Sequence, residues 1–352
     1  MALNSKGVTV ANQPFQSGIL QRGHALYMGI AALGLLILWP WVADITPVSI
    51  PLVCEIFIYG LFAMAYNMVI GYTGVISFGH AAFFGVGAYV TAISLKFLGL
   101  PLELSMMIGV LAATAVGVVI AFLAFQATGA YLAVITLAMS MVFYYIAQMW
   151  VDVTGGHDGM TGIPVLELSF GVPLTNYLVN KYYFMLFILV LSIFIQWRIV
   201  NSPFGKVMEA VRENEQRAQS CGYNTYWVKW WAFVLSAFFS GVAGSLFLVF
   251  LEFCDVHVLY WMMSGTVLVI TLFGGTKVFL GPFVGALVFV GMKDGLSRYI
   301  EHWEVFTGFL FVAIVLFLPK GIMGSIMDAL KPKPKEPDED LDAGVVEEKI
   351  RL

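Results

Sequence analysis

The sequence predicts an all-α protein, a polytopic membrane helix bundle of about ten spans with both termini on the cytoplasmic side. Three observations carry this. Of 352 residues 60% are hydrophobic and only 11% are charged, against roughly 25% charged in ordinary soluble domains. The apolar residues fall in runs of about 17 to 25, the length a helix needs to cross a hydrocarbon core of about 30 Å. These runs lack the apolar-polar alternation of membrane strands, and because lipid gives backbone groups no other partner, helices are the remaining solution.

Taken in order, the runs place spans near residues 27–43, 51–70, 75–98, 104–125, 130–150, 181–200, 230–251, 258–274, 279–297 and 303–319, the last three interrupted by Gly and Pro. Lys and Arg collect in cytoplasmic loops. An even count with the N-terminus inside puts Lys6, Arg22, Lys206, Arg212, Arg217, Lys229, Lys277 and the tail lysines on that side. The other side receives the loop 151–180, which holds Asp152, Asp158 and Glu167 and no Lys or Arg. Arg298 is the misfit, and a local ion pair with Glu301 or Glu304 accounts for it.

The organisation that follows is a cytoplasmic arm (1–26), a transmembrane domain (27–319) with a cytoplasmic loop at 201–229, and a disordered cytoplasmic tail (320–352). The arm lacks the apolar core of a signal peptide, so the first run is expected to stay as an anchor. The tail reads KPKPK and then PDEDLD, charges that compensate one another without apolar residues to bury. With a net charge of −4 and its cations scattered, the chain has no basic face for nucleic acid. Cys54, Cys221 and Cys254 share no metal-ligand spacing and read as small apolar fillers. No metal site is expected.

Small residues at four-residue spacing let helix backbones approach. Three such seams occur: Ser77, Ala81 and Gly85; Ala113, Gly117 and Ala121; and Ser236, Ser240 and Gly244 beside Ala237, Gly241 and Ser245.

Four segments bear on function. The first, residues 201–224, reads NSPFGKVMEAVRENEQRAQSCGYN. Ser202 caps a helix that Pro203 opens, Phe204, Val207, Met208 and Val211 recur at helical spacing, and Gly222 ends it. This predicts one short amphipathic helix outside the membrane. Its apolar face suits docking in a groove of a soluble partner; the alternative is a helix lying on lipid headgroups, which favours a basic surplus, whereas residues 203–222 hold three basic and three acidic groups.

In the second segment, GYTGVISFGHAAFFGVGAYV (71–90), five glycines fall between Gly71 and Gly87. Irregular backbone at membrane depth survives where protein or a water-filled cavity covers it, so Tyr72, Gly74, Ser77, Phe78, Gly79 and His80 are candidate walls of a substrate pathway. His80 either contacts solute or relays a proton, or it is a neutral histidine hydrogen-bonded between helices. The third segment, VTGGHDGMTGIP (153–164), is a turn-rich outer loop in which Gly155, Gly156 and Gly159 are expected to cap the pathway or meet a partner. The fourth, LFGGTKVFLGPFVGALVFVG (272–291), echoes the second as a glycine-broken apolar run. Its Gly274-Gly275-Thr276-Lys277 lacks P-loop spacing, so the chain is not its own ATPase.

Together GYTGVISFGHAAFFGVGAY, GAYLAVITLAMS (129–140), TGGHDGMTGIP, Pro203 through AVRENEQRAQSCGYN to WAFVLSAFFSGVAGSL (231–246), and LFGGTKVFLGP resemble the LivM-type permease subunit of branched-chain amino acid ABC transporters. The resemblance runs in order over about residues 55–325, with Lys277 and Phe279 standing where small residues often follow the paired glycines. It implies a bacterial inner-membrane subunit surrounded by lipid, a second LivH-like permease, two cytoplasmic ABC ATPases that bind the ATP, and a periplasmic solute-binding protein. It also implies that Arg212, Glu213, Asn214, Glu215, Ala218 and Gly222 form the ATPase coupling element. The chain itself then carries no catalytic residue and no cofactor, and the solute is a branched-chain amino acid or a related small polar molecule. The rival reading is an ion-coupled secondary transporter that works alone through Glu55, His80 or Asp294.

Overall fold

The computed structural model describes residues 33–43, 48–298 apart from 165, 170 and 176, and then 305, 308, 309, 312 and 321–330. Most of the expected tenth span, the N-terminal arm and most of the tail lie outside these residues. Two compact units emerge, Met1–Ile50 and Pro51–Leu352. In the first, the described helix is α1 (Leu33–Val42).

The second unit is helical, and its β pairing among the described residues is confined to two isolated bridges. Among the described residues six helices are long and apolar enough to cross a membrane: α2 (Ile50–Thr73), α3 (His80–Leu98), α4 (Leu102–Ala124), α5 (Ala130–Met149), α7 (Leu178–Val200) and α10 (Thr225–Leu251). Between them lie the short α6 (Val151–Thr154), α8 (Pro203–Glu213) and α9 (Glu215–Ser220), and beyond them α11 (Trp261–Gly274), α12 (Gly281–Ser297) and α13 (Gly321–Leu330).

Two expected spans are shorter than their sequence runs suggested. α11 has 14 residues and α12 has 17, so at 1.5 Å per residue they reach about 21 and 26 Å, less than a hydrocarbon core of about 30 Å. The apolar run counted from residue 258 begins in a 3₁₀ turn, Val256–Leu259, which contributes no length to α11. A second difference is at the start of α3. Residues 74–79 are non-helical, so the span expected from residue 75 begins at His80, and Ser77 lies ahead of the helix face it was expected to share with Ala81 and Gly85.

The core sits where α3, α4 and α10 cross. Small residues make this possible. A Cβ on Gly244 would fall 1.9 Å from the Phe84 carbonyl oxygen, and one on Gly117 would fall 2.4 Å from the Ala237 Cβ. At that separation backbone packs on backbone, and Phe83, Phe84, Ala113, Ala121, Phe233 and Ala237 fill the remaining space without exposure. The outward faces of α4, α5 and α7 carry exposed large apolar side chains such as Leu111, Val134 and Phe187, as expected of helices that face lipid.

Candidate functional site

At one end of the bundle the chain breaks between α2 and α3, and the amphipathic segment packs beneath the break. Ser202 caps α8 by accepting from the Gly205 N–H, with Pro203 in the first turn. The helix does not continue to Gly222. It stops at Glu213, where Asn214 turns extended and uses its side chain to accept from the Arg217 N–H at 2.9 Å, starting α9. Gly222 then takes a left-handed conformation, φ +90°, and the Tyr223 N–H returns to the Ala218 carbonyl. The expected single helix is therefore two, because Asn214 competes for the backbone as a cap.

The apolar face of α8 is already used. Met208 is fully buried with Tyr72, Val200 and Ala232, and Phe204, Val228 and Phe279 pack around them. The face turned outward is polar, with Glu213, Asn214 and Arg217 exposed, Glu215 half-buried and Ala218 buried. Ala210, Asn214, Arg217, Ala218, Cys221 and Tyr223 line a notch across the α8–α9 break. α9 is tied to α10 by Lys229, whose Nζ lies 2.6 Å from Glu215 Oε1, and by a Gln219 to Thr225 hydrogen bond at 2.9 Å. Burial alone would raise the Glu215 carboxyl, but hydrogen bonds from Lys229 and Thr225 and the Lys229 charge outweigh it and hold the group below the usual carboxylate range.

Residues 71–80 sit directly above. The Arg212 guanidinium donates to the Gly71 carbonyl, and its Cγ is 3.4 Å from where a Cβ on Gly74 would stand. Gly74 takes φ +74°, which a side chain would strain. Tyr72 is buried beside α8. The Phe78 N–H donates to Thr136 Oγ1 at 3.1 Å, and the Gly79 N–H to Ser77 Oγ at 3.1 Å.

His80 has no solvent exposure. Its Nε2 lies 2.8 Å from Ser236 Oγ and its Nδ1 3.2 Å from Ser77 Oγ. Ser236 gives its one hydroxyl hydrogen to the Ala65 carbonyl at 2.6 Å, so it accepts from Nε2–H, and Nδ1 is left to accept from Ser77. The geometry describes a neutral ring joining α2, α3 and α10, with Tyr66, Phe83 and Phe233 edge-on around it. Ser236, Thr136 and Tyr66, whose hydroxyl donates to the Ser77 carbonyl, were not singled out from the sequence as partners. The serine seam on α10 was the available signal, but nothing local links it to a histidine 156 residues away.

At the opposite end the TGG loop pairs with the loop after α10. The Met160 N–H donates to the Cys254 carbonyl at 2.8 Å and the Cys254 N–H to the Met160 carbonyl at 3.3 Å. Gly155, Gly156 and Gly159 all have positive φ, and a Cβ on Gly159 would meet the Cys254 carbonyl oxygen at 2.7 Å. Lys96 reaches the Thr161 carbonyl at 2.7 Å, Glu103 accepts from Ser169, and Lys181 lies 2.5 Å from Glu252. Among the described residues no three His, Cys, Asp or Glu side chains are grouped to hold a metal ion.

The charges on α2 and α12 are paired. Lys293 of α12 reaches Glu55 of α2 at 2.6 Å, and Asp294 takes Arg298 at 2.6 Å. Arg298 thus finds its local partner in Asp294 one helical turn back.

Fold and site together define an all-helical, multi-pass membrane protein with a two-helix polar element packed under a broken helix pair. A family model described as "Branched-chain amino acid transport system / permease component" matches residues 50–317, and the chain belongs to that family. It is 27% identical over 325 residues to the high-affinity branched-chain amino acid transport system permease protein LivM of Escherichia coli (strain K12), covering 86% of this chain and 76% of that protein. LivM of Salmonella typhimurium gives the same figures, and LivH of that organism is 26% identical over 287 residues, 76% of this chain and 91% of LivH. No solved structure matches the chain.

Proposed function

We propose that this chain is the LivM-type half of an ATP-driven importer for branched-chain amino acids in a bacterial inner membrane. It pairs with a LivH-like permease, receives solute from a periplasmic binding protein at the 151–180 face, and docks one of the importer's two cytoplasmic ATPases through α8 and α9. In this reading the bundle has about ten spans with cytoplasmic termini, α11 and α12 among them, and ATP is bound by the partners alone. The observation that carries the reading is the position of α8: its polar face is free for a soluble protein, while Arg212 on the same helix holds the carbonyl of Gly71 at the break between α2 and α3. A partner that moves α8 moves the broken pair.

The ion-coupled alternative needs an intramembrane carboxylate free to bind its ion. Glu55 and Asp294 each have a cationic partner, and His80 is bonded on both nitrogens, so this reading is the weaker. Uptake of labelled leucine into proteoliposomes decides between them. The importer requires ATP, both ATPases, the second permease and the binding protein; uptake by this chain alone under an ion gradient would overturn it.

A further inference from the structure

The two glycine-broken stretches, 71–79 and 272–281, come together at the end of the bundle that carries α8. A Cβ on Gly71 would stand 2.7 Å from the Thr276 carbonyl oxygen. The second turn is itself built from backbone contacts: a Cβ on Gly274 would meet the Gly281 carbonyl oxygen at 1.8 Å, and one on Gly321 the Gly275 Cα at 2.4 Å. Such contacts leave no slack, so displacement of one turn is passed to the other rather than absorbed.

α8 reaches the two turns by different chemistry. The α2–α3 turn is held by a polar contact, Arg212 to the Gly71 carbonyl, and by Tyr72. The α11–α12 turn supplies Phe279, a large side chain in an otherwise glycine-rich stretch, and this ring packs against the cluster that holds Met208, Tyr72, Val200 and Ala232. Phe204 joins the cluster from the first turn of α8. Gly205 fixes α8 to the end of α7 so closely that a Cβ would fall 1.9 Å from the Val200 carbonyl oxygen.

We propose that Phe279 and Tyr72, with Phe204 and Met208 of α8, form an apolar joint that makes the α2–α3 and α11–α12 turns follow α8 as one body. Phe279 and Tyr72 are positioning residues: they bind neither nucleotide nor solute but convert movement of the docked helix into movement of both broken helix pairs. This rests on the importer reading above and adds to it that the second broken stretch is driven through Phe279.

The test uses the assembled importer in proteoliposomes, measuring ATPase copurification, ATP hydrolysis and leucine uptake per ATP. Phe279→Ala is expected to keep the ATPases bound and hydrolysing while uptake per ATP falls about fivefold or more, the size of effect that couplings of this kind carry. Phe279→Leu, which keeps apolar bulk, is expected to restore at least half of it. Tyr72→Ala is expected to give the same loss, and the double variant no more than either single, because both act through one joint. Unchanged uptake per ATP in Phe279→Ala, loss of the ATPases from it, or multiplicative losses in the double variant would each overturn the joint. Absence of ATPases from the wild-type preparation would instead overturn the docking assignment, so the two failures are separable. If Phe279→Ala yields no folded protein, the Phe279→Leu and Tyr72→Ala pair carries the same comparison, with equal coupling in Tyr72→Ala and wild type as the overturning result.

Discussion

The Arg212 guanidinium donates a hydrogen bond to the backbone carbonyl of Gly71, 141 residues earlier in the chain. That carbonyl belongs to the last turn of α2, where helix geometry leaves C=O groups without an intrahelical donor and the dipole favours a cation. The contact therefore supplies a missing partner at the point where the helix breaks. Glu215, three residues beyond Arg212, takes no part in it and pairs with Lys229 instead.

A charge exchange between positions 212 and 215 consequently cannot restore what it breaks. Arg212→Glu is expected to lose ATPase copurification, and the double variant Arg212→Glu with Glu215→Arg to lose at least as much. Each gives up a charge-assisted hydrogen bond of about 1.5–3 kcal/mol, and the double variant gives up the Lys229 pair as well. Pull-down of the ATPases from solubilised membranes measures this. Recovery in the double variant relative to the single would show that the two residues pair with each other.

Two serines one helical turn apart on α10 should behave in opposite ways. Ser236 accepts from His80 and donates to Ala65, whereas Ser240 Oγ is buried without a hydrogen-bond partner. Ser236→Ala leaves the His80 ring N–H unpaired, at about 1–3 kcal/mol, while the Ala65 carbonyl keeps its helical donor within α2. Ser240→Ala removes an unpaired hydroxyl and is expected to be neutral or stabilising. Thermal unfolding midpoints in detergent should fall by several degrees for the first and hold or rise for the second; equal shifts would refute the assignment of hydrogen bonds around His80.

The seam between α3 and α10 can be probed with one methyl group. In Gly244→Ala the new carbon would sit 1.9 Å from backbone, while in Gly265→Ala it would meet nothing within 4 Å. Backbone cannot swing aside as a side chain can, so the first substitution forces the helices apart at a cost of about 3 kcal/mol or more, the upper end for overpacking. Folded yield by size-exclusion chromatography should collapse for Gly244→Ala and be retained for Gly265→Ala.

What was legible in the sequence follows from what is local. The runs that became α2, α4, α5, α7 and α10 announced themselves by length and apolarity, and Ser202, Pro203 and Gly222 marked the ends of the polar segment correctly because caps and turns act within a few residues. Asn214 is of a residue type that caps helices, but inside a segment with unbroken helical spacing it gave too weak a signal to divide one expected helix into two. The remainder depended on distance in the chain. Nothing near Glu55 points to Lys293, 238 residues away, and nothing near Met208 says that its apolar face is covered by Tyr72 and Phe279 rather than by another protein. The length of α11 was overestimated because an apolar run does not distinguish a helix from a 3₁₀ turn leading into it.

The pairing of Glu55 with Lys293 gives a direct test of the ion-coupled alternative. Breaking it from one side strands a partly buried charge, so Glu55→Gln and Lys293→Gln are each expected to lower folded yield. The double Gln variant strands nothing and should recover it. Leucine uptake by the assembled importer should then be retained within about threefold, since a paired structural charge makes only a modest contribution. A double variant that folds but abolishes uptake would identify Glu55 as an ion ligand instead.

The Glu215 to Lys229 contact should make α9 sensitive to acid in a defined direction. Glu215 titrates below the usual glutamate range when folded, so its contribution is fully present above the unfolded pKa and is lost as pH falls through the folded value. Neutral and mildly acidic pH should therefore leave α9 fixed to α10, and its release should begin only below the ordinary glutamate range. Cys221 lies at the end of α9 and is exposed, whereas Cys54 and Cys254 are buried, so a spin label added to the wild-type chain attaches selectively beside the contact. Label mobility is expected to rise at that low pH in the wild type. In Glu215→Gln, which removes the titrating group and the ion pair together, mobility should already be high at neutral pH and change little on acidification. A wild-type transition at or above the ordinary glutamate range would contradict the pairing, as would one that persists unchanged in Glu215→Gln.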